Sequence, residues 1–375
     1  MSPILSGRGF HPLPNPRSSP CFSTNPSIHP FMRLPEGAYR AHVHSRHGII
    51  EGSVVFSDGM FHNLLPDGFP ERPVGDVAVF EDVVNAHTHC ADNGLRIPEG
   101  MTLEELVAPP DGLKHRYLRE ASPEILSDGM ESFRRDSLAH GVRTFVDFRE
   151  NGAEGCRILR EAVPEAVILG RLESSEFDPE EFERIMRYAD GIGISSISDI
   201  HVRLAEDIAD AVRERRAFLG IHASERVRED MDAVLSLDPT FVVHMCEATA
   251  MDVTKCAEAE VPVAVCPGSN AYFGKEPPVV LLDECGADMM LGTDNAMLRP
   301  PDMAAEASLL MDVLNRRGGD PDCVVSALTC MGGKILNRPR GMGEPEAECR
   351  MAVPFEGEYS PENVFRSGAT GHRIL

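Results

Sequence analysis

Two histidines one residue apart, His87-Thr88-His89, close an apolar stretch that runs through Val84-Asn85-Ala86. On an extended segment, side chains two apart point to the same side. Both imidazoles can therefore face one metal ion from a single strand end. Four later segments carry matching chemistry: Gly220-Ile221-His222-Ala223-Ser224-Glu225, Val242-Val243-His244, Cys266-Pro267-Gly268-Ser269-Asn270 and Leu291-Gly292-Thr293-Asp294. Each stands at or just past the end of a short apolar stretch. The residue types are those of a hydrolytic zinc or iron site: neutral imidazoles, a carboxylate ligand and a spare carboxylate to move protons. One His-x-His means little in a chain with 14 histidines; the ordered set carries the reading.

Elements able to present these residues recur along the chain. Strand patterns fall at 83–87, 144–148, 166–169, 191–194, 217–221, 241–243, 261–265 and 288–291. Helical patterns at 122–139, 153–162, 179–189, 204–215 and 251–259 separate several of them. Strands alternating with helices to a count of eight predict an α/β fold of the (β/α)8 type, a TIM barrel. The chemistry-bearing residues fall at the carboxyl ends of these strands, where barrels of this type place their active sites. Two more helices are expected at 304–314 and 324–331. Before the first barrel strand, the text from 38 to 79 reads as short strands joined by turns, and 347–375 reads as strand again, able to pair with them.

Composition narrows the class. The chain has 375 residues, 42% apolar and 26% charged, with a formal net charge of −24. That balance argues against a nucleic-acid polymer or an anionic membrane surface as partner. No apolar run approaches the roughly 20 residues of a membrane span. The 10 cysteines are scattered without a C-x-x-C, so free thiols in a reducing cytoplasm are expected. Residues 1–31 are rich in Pro, Ser and Asn and read as a disordered leader, or as an upstream extension with Met32 as the natural start.

The motifs Asn85-Ala86-His87-Thr88-His89, His222-Ala223-Ser224-Glu225, His244, Cys266-Pro267-Gly268-Ser269-Asn270 and Gly292-Thr293-Asp294 resemble the amidohydrolase superfamily. The resemblance is to the branch of cytosine and guanine deaminases and the triazine hydrolases (chlorohydrolases), and it spans about residues 83 to 299. It implies a distorted (β/α)8 barrel over 83–345, with a small β-sandwich domain built from 36–82 plus 346–375. It also implies metal ligands His87, His89, His222 and Asp294, a proton-shuttling Glu225, and His244 beside the attacking water or the oxyanion. Two-metal members commonly carry a carboxylated lysine at the fourth strand. The corresponding Gly191-Ile192-Gly193-Ile194-Ser195-Ser196 holds none, which points to one divalent ion, Zn2+ or alternatively Fe2+.

The expected chemistry follows. Three imidazoles and a carboxylate on a divalent ion would lower the pKa of its bound water towards neutrality, giving a metal-bound hydroxide. Asp294 would take the proton of the water, Glu225 would protonate a ring nitrogen and then the leaving amine, and His244 would stabilise the tetrahedral oxygen. The leading expectation is hydrolytic deamination of a nucleobase, nucleoside or related nitrogen heterocycle by a cytoplasmic enzyme. The alternatives are hydrolysis of a cyclic or N-substituted amide or of another C–N or C–Cl leaving group, and, in a different class, a non-catalytic barrel scaffold. Asn270, Asn295, Lys114 and His115 are the substrate-binding candidates. The last two, with Asp92 and Arg96, fall in the long loop after the first strand, where solvated charges are the plainer reading. His42, His44, His47 and His62 are expected on the surface of the β unit, and ring stacking would fall to Phe148, Tyr117, Tyr272 or Phe273. A small heterocycle is the expected partner. The residues leave oligomeric state open, a homodimer being allowed because dimers are common among soluble enzymes. Deleting residues 1–31 should leave melting temperature and activity nearly unchanged; a collapsed fold would refute the leader.

Overall fold

A computed structural model describes residues 34–374 apart from 46–47, 67, 69, 82, 108–110 and 337–348. The leader reading for 1–31 and His47 lie outside the described residues, as does the last part of the proposed barrel span. Four strands open the described chain: β1 (Gly37–Ser45), β2 (Gly48–Ser57), β3 (Met60–Pro66) and β4 (Asp76–Glu81). The barrel strands follow as β5 (Val84–His89), β6 (Thr144–Arg149), β7 (Val167–Gly170), β8 (Gly191–Ile194), β9 (Phe218–Ala223), β10 (Phe241–His244), β11 (Val263–Val265), β12 (Met289–Leu291) and β13 (Asp294–Asn295). The chain ends with β14 (Arg350–Phe355) and β15 (His372–Ile374).

Both chain ends build the small strand domain. Its six strands close into a ring in the order β1-β2-β3-β15-β14-β4. Alternating apolar residues fill it, among them Tyr39, Ala41, Val43, Val54, Phe56, Phe61, Val77 and Val79, with Ala352 and Ile374 from the C-terminal strands. Two of the histidines expected on the surface of this unit, His42 and His44, are packed against aromatic rings. His44 stacks on Phe80 with ring centroids 4.6 Å apart, and His42 stacks on Tyr359 at 4.9 Å. The flat imidazole is as good a packing face as a phenyl ring, and burial pushes the His44 pKa down to about 4.

In the large sheet β5 to β12 are parallel neighbours in chain order, and β13 pairs with β5. The eighth strand position is thus split. Its first half, β12, pairs with β11; the chain breaks at Gly292-Thr293; its second half, β13, turns to β5 and closes the ring. Asn85 staples that closure: its Nδ2 donates to Thr293 Oγ1 at 2.7 Å, and the Thr293 amide donates back to Asn85 Oδ1 at 3.0 Å. Gly292 is required there, because a Cβ would stand 2.9 Å from both the backbone nitrogen and Cβ of His87.

The barrel interior is packed with Val84, Ala86, Val146, Phe148, Val167, Leu169, Phe218, Phe241, Val243, Ala264 and Met290. Phe148 fits because β9 carries Gly220 opposite it, where a Cβ would approach the ring to 2.6 Å. The helices start where short polar side chains can bond free backbone amides: Ser122 before Pro123–Ala139, Asp178 before Pro179–Met186, and a Thr249/Asp252 capping box before Ala250–Glu258. One expectation is corrected. The excursion after β5 is not all loop: it contains helices Leu103–Val107 and Leu113–Glu120, so Lys114 and His115 sit on a helix. Neither helix exceeds eight residues, too short for a clear apolar period to register.

Removing the staple tests the closure. Asn85→Ala should destabilise the fold by about 2–4 kcal/mol, the usual cost of leaving a buried amide and hydroxyl unpaired. Thr293→Val, which keeps the amide bond, should cost less. Equal and negligible changes in denaturant midpoint would contradict this account of the closure.

Candidate active site

β5 delivers the first two imidazoles through an irregularity. Asn85 pairs with Phe145 and Thr88 with Asp147, so three steps on β5 span two on β6. The extra residue resets the inward alternation of Val84 and Ala86, and His87 then faces inward as well, its ring 4.6 Å from that of Phe148. His222 is the penultimate residue of β9, its ring 4.8 Å from that of His87. His244 ends β10 and Asp294 opens β13, both with left-handed backbones at φ 76° and 62°. Such conformations cost energy in residues with a Cβ and persist where surrounding structure enforces them.

The ligand-capable atoms converge. Those of His87, His89 and Asp294 lie within 4.8 Å of one another, as do those of His87, His222 and His244. Asp294 Oδ1 is 3.3 Å from His87 Nε2 and 3.6 Å from His89 Nε2. The other nitrogen of three rings is engaged elsewhere. His222 Nδ1 donates to the Ile194 carbonyl at 3.0 Å, and His89 Nδ1 to the Phe148 carbonyl at 3.1 Å. His244 Nδ1 meets Asn270 Nδ2 at 3.2 Å, which makes it the acceptor and puts its proton on Nε2. His89 and His222 therefore keep Nε2 unprotonated and directed into the site. His87 is the sharpest indicator: among the described residues neither of its ring nitrogens has a hydrogen-bond partner, and both are buried. A divalent ion would satisfy one of the two, Nε2, which faces Asp294 Oδ1.

Electrostatics fits the same occupant. Burial lowers the His87 pKa to about 3, outweighing the restoring effect of Asp294. Burial, with the neighbouring imidazoles, drives His222 well below its ordinary value. Burial would raise Asp294, but His87, His244 and His89 around it hold it well below the usual carboxylate range. His87 and His222 are thus neutral imidazoles and Asp294 an ionised carboxylate, the protonation states that ligate. Ser269 donates to Asp294 Oδ2 at 2.5 Å, fixing one oxygen and leaving the other towards the histidines.

A cavity of about 130 Å3 opens over this centre. Glu225 stands in its wall, its Oε1 3.8 Å from His244 Nε2. The left-handed turn at Ser224 (φ 48°) brings the chain round between His222 and Glu225. Glu229, four residues on, is different: it accepts from Ser196 Oγ, Ser198 Oγ and the amides of Ser198 and Ser224 at 2.6–3.0 Å, and so pins the loops after β8 and β9. Lys114, His115 and Asn295 line the cavity, as do Phe148 and Phe273. Tyr272 is exposed and Tyr117 lies off the cavity. Asn270 sits behind His244 and is not part of the cavity wall. Lys114 and Asp92 are buried, whereas Arg96 is exposed, so the solvated reading holds for Arg96 alone of these three.

Sequence reasoning passed over Glu150, Ser269, Ser195 and Arg171. Glu150 Oε1 is 3.1 Å from His89 Nδ1 and 2.9 Å from Lys114 Nζ. Ser195 and Arg171 line the cavity just past β8 and β7. The rule that found the other residues, polar groups at the carboxyl ends of apolar strands, would have found these.

Residues 83–347 match the model of the amidohydrolase family. An uncharacterised protein of Methanocaldococcus jannaschii is 31% identical over 316 residues, 76% of this chain and 80% of its own. A 5-methylthioadenosine/S-adenosylhomocysteine deaminase of Moorella thermoacetica is 27% identical over 337 residues, 78% of this chain and 77% of its own. Among solved structures, an adenosine deaminase from Xanthomonas campestris with bound zinc superposes with a TM-score of 0.66 at 17% identity, covering 89% of each chain. An atrazine chlorohydrolase from Arthrobacter aurescens in complex with zinc gives 0.62 at 14% identity, covering 89% of this chain and 90% of its own. These last two share the fold: a distorted TIM barrel with a small strand domain. With its ordered motifs and a family match over most of its length, the chain belongs to the amidohydrolase family and is a hydrolase acting on carbon–nitrogen bonds, with a converging ligand set able to hold a metal ion.

Proposed function

We propose that the protein removes ammonia hydrolytically from a nucleobase, nucleoside or related nitrogen heterocycle. The observation that carries this reading is the Glu225 carboxylate in the cavity wall beside His244, over the His87, His89, His222 and Asp294 cluster. Those four residues would hold a single divalent ion, zinc by our reading, which would supply Lewis acidity and a water acidic enough to react near neutral pH.

The protein's own groups do the rest. Asp294, with Oδ2 held by Ser269, accepts the proton of the attacking water through Oδ1. Glu225 delivers a proton to the ring nitrogen next to the carbon under attack, which makes that carbon electrophilic, and is recharged by the remaining hydroxyl proton as the C=O bond forms, while the proton taken up by Asp294 passes to the departing amine, which leaves as ammonia. His244, whose proton Asn270 keeps on Nε2, donates to the oxygen on which charge develops. Phe148 packs edge-on against His87 and His222 and holds the floor rigid. The deaminase relative from Moorella supports the amino-heterocycle class. The chlorohydrolase sharing the fold keeps a second reading in view, in which the same apparatus expels another leaving group.

Three outcomes follow. His87→Ala and Asp294→Ala should lose the metal or all activity; a metal-replete, fully active variant would refute the ligand assignment. Glu225→Gln should keep fold and metal and lose about 10²–10⁴-fold in kcat on an amino-heterocycle in an ammonia-release assay; unchanged turnover would remove Glu225 from the mechanism. The chelated protein should lose thermal stability as pH falls from about 6.5 towards 3. The buried His87 titrates near 3 against 6.5 when unfolded, so the unfolded chain gains the proton first and stability present above 6.5 is lost on acidification. A melting temperature flat across that interval would contradict the buried neutral imidazole.

A further inference from the structure

Glu150 and Lys114 form a buried polar unit that the proposed chemistry does not use. Glu150 follows β6 and is 7% exposed; Lys114, from the helix Leu113–Glu120, is 4% exposed. Three groups converge on the Glu150 carboxylate. His89 Nδ1 lies at 3.1 Å and Lys114 Nζ at 2.9 Å from Oε1, and Arg149 Nη2 donates to Oε2 at 2.6 Å. Lys114 also donates to Asn295 Oδ1 at 2.9 Å and stands 3.8 Å from Asp92 Oδ2. Arg149 in turn pairs with Asp147 Oδ1 at 3.2 Å. In this cluster three carboxylates, Asp92, Asp147 and Glu150, meet two cations, Lys114 and Arg149. Burial pushes the Asp92 carboxyl up to about 7, so the charge that lies against the rear nitrogen of His89 is that of Glu150, while the front nitrogen faces Asp294.

From this geometry we infer that Glu150 is a positioning residue for the metal site, and that Lys114 ties the helix inserted after β5 to that site through it. Glu150 accepts the Nδ1 proton of His89 together with the Phe148 carbonyl, fixes which nitrogen is free and aims it at the centre. A carboxylate behind a ligating imidazole also raises its basicity. Lys114 plays the opposite electrostatic part. Its ammonium opposes a nearby dication, and what it supplies is the tether from the excursion to the strand ends that bear His89 and Asn295. The inference rests on His89 being a ligand.

The two residues should therefore move metal affinity differently, which a merely structural role would not do. In the full-length protein, Glu150→Gln should weaken zinc binding by about 10–100-fold, read by competition with a chromophoric chelator. Glu150→Asp should recover part of the loss. Cobalt(II)-loaded Glu150→Gln should show a shifted visible spectrum, because the imidazole is no longer held in place. Lys114→Met should bind zinc no more weakly than the parent while its KM for substrate rises, the helix it anchors having lost its hold on the cavity wall. Zinc affinity of Glu150→Gln within twofold of the parent would overturn the inference. So would losses of affinity in both variants that run parallel to falls in melting temperature of the chelated proteins. Where Glu150→Gln does not fold, a tenfold loss of zinc in a folded Lys114→Met overturns it alone. A parent chain that binds no ion sinks the metal-site reading itself, whereas a parent that binds zinc beside an unaffected Glu150→Gln sinks only the role of Glu150.

Discussion

The constraint on which the rest depends is the burial of His87 with neither ring nitrogen bonded. Each unsatisfied buried polar atom costs about 1–3 kcal/mol, and burial also denies this ring its second proton until the pH is near 3. A lone buried imidazole would relax towards a partner. This one is hemmed in by Phe148 beneath, by the close passage of Gly292, and by His89, His222 and His244 around it. The barrel spends stability to hold a neutral nitrogen donor at its mouth, and an ion on that nitrogen returns part of the cost.

The geometry of the strand ends follows. A regular barrel strand would carry its side chains alternately in and out, with no guarantee that five ligand-type groups meet. The irregularity on β5 turns His87 inward, the left-handed residues His244 and Asp294 redirect their strand ends, and the break at Gly292-Thr293 lets the eighth strand serve two neighbours. Each departure from ideal geometry sits beside the chemistry, and each is braced by hydrogen bonds from nearby strands or loops, as Asn85 braces Thr293 and Ser269 braces Asp294.

Much of this was legible from the residues. The eight strand positions could be read because buried parallel strands are short apolar runs, and His87, His89, His222, His244 and Asp294 end those runs as polar punctuation. What escaped was set by tertiary packing. Lys114 looked like a loop charge because its helix has eight residues and its partners, Glu150 and Asn295, are 36 and 181 positions away. Asn270 was expected at the substrate and instead orients His244, since no pattern tells whether an asparagine faces a cavity or a neighbouring ring. His42 and His44 looked superficial because β1 alternates apolar and polar residues, and rings distant in sequence, Phe80, Phe355 and Tyr359, cover them.

The most direct test of a single-ion hydrolase is the metal content of protein purified without chelator and then reconstituted, read by elemental analysis against chain concentration. The account predicts one divalent ion per chain, zinc foremost. Two ions per chain would contradict the single site, and none after reconstitution would contradict the reading of His87 as a ligand awaiting its ion.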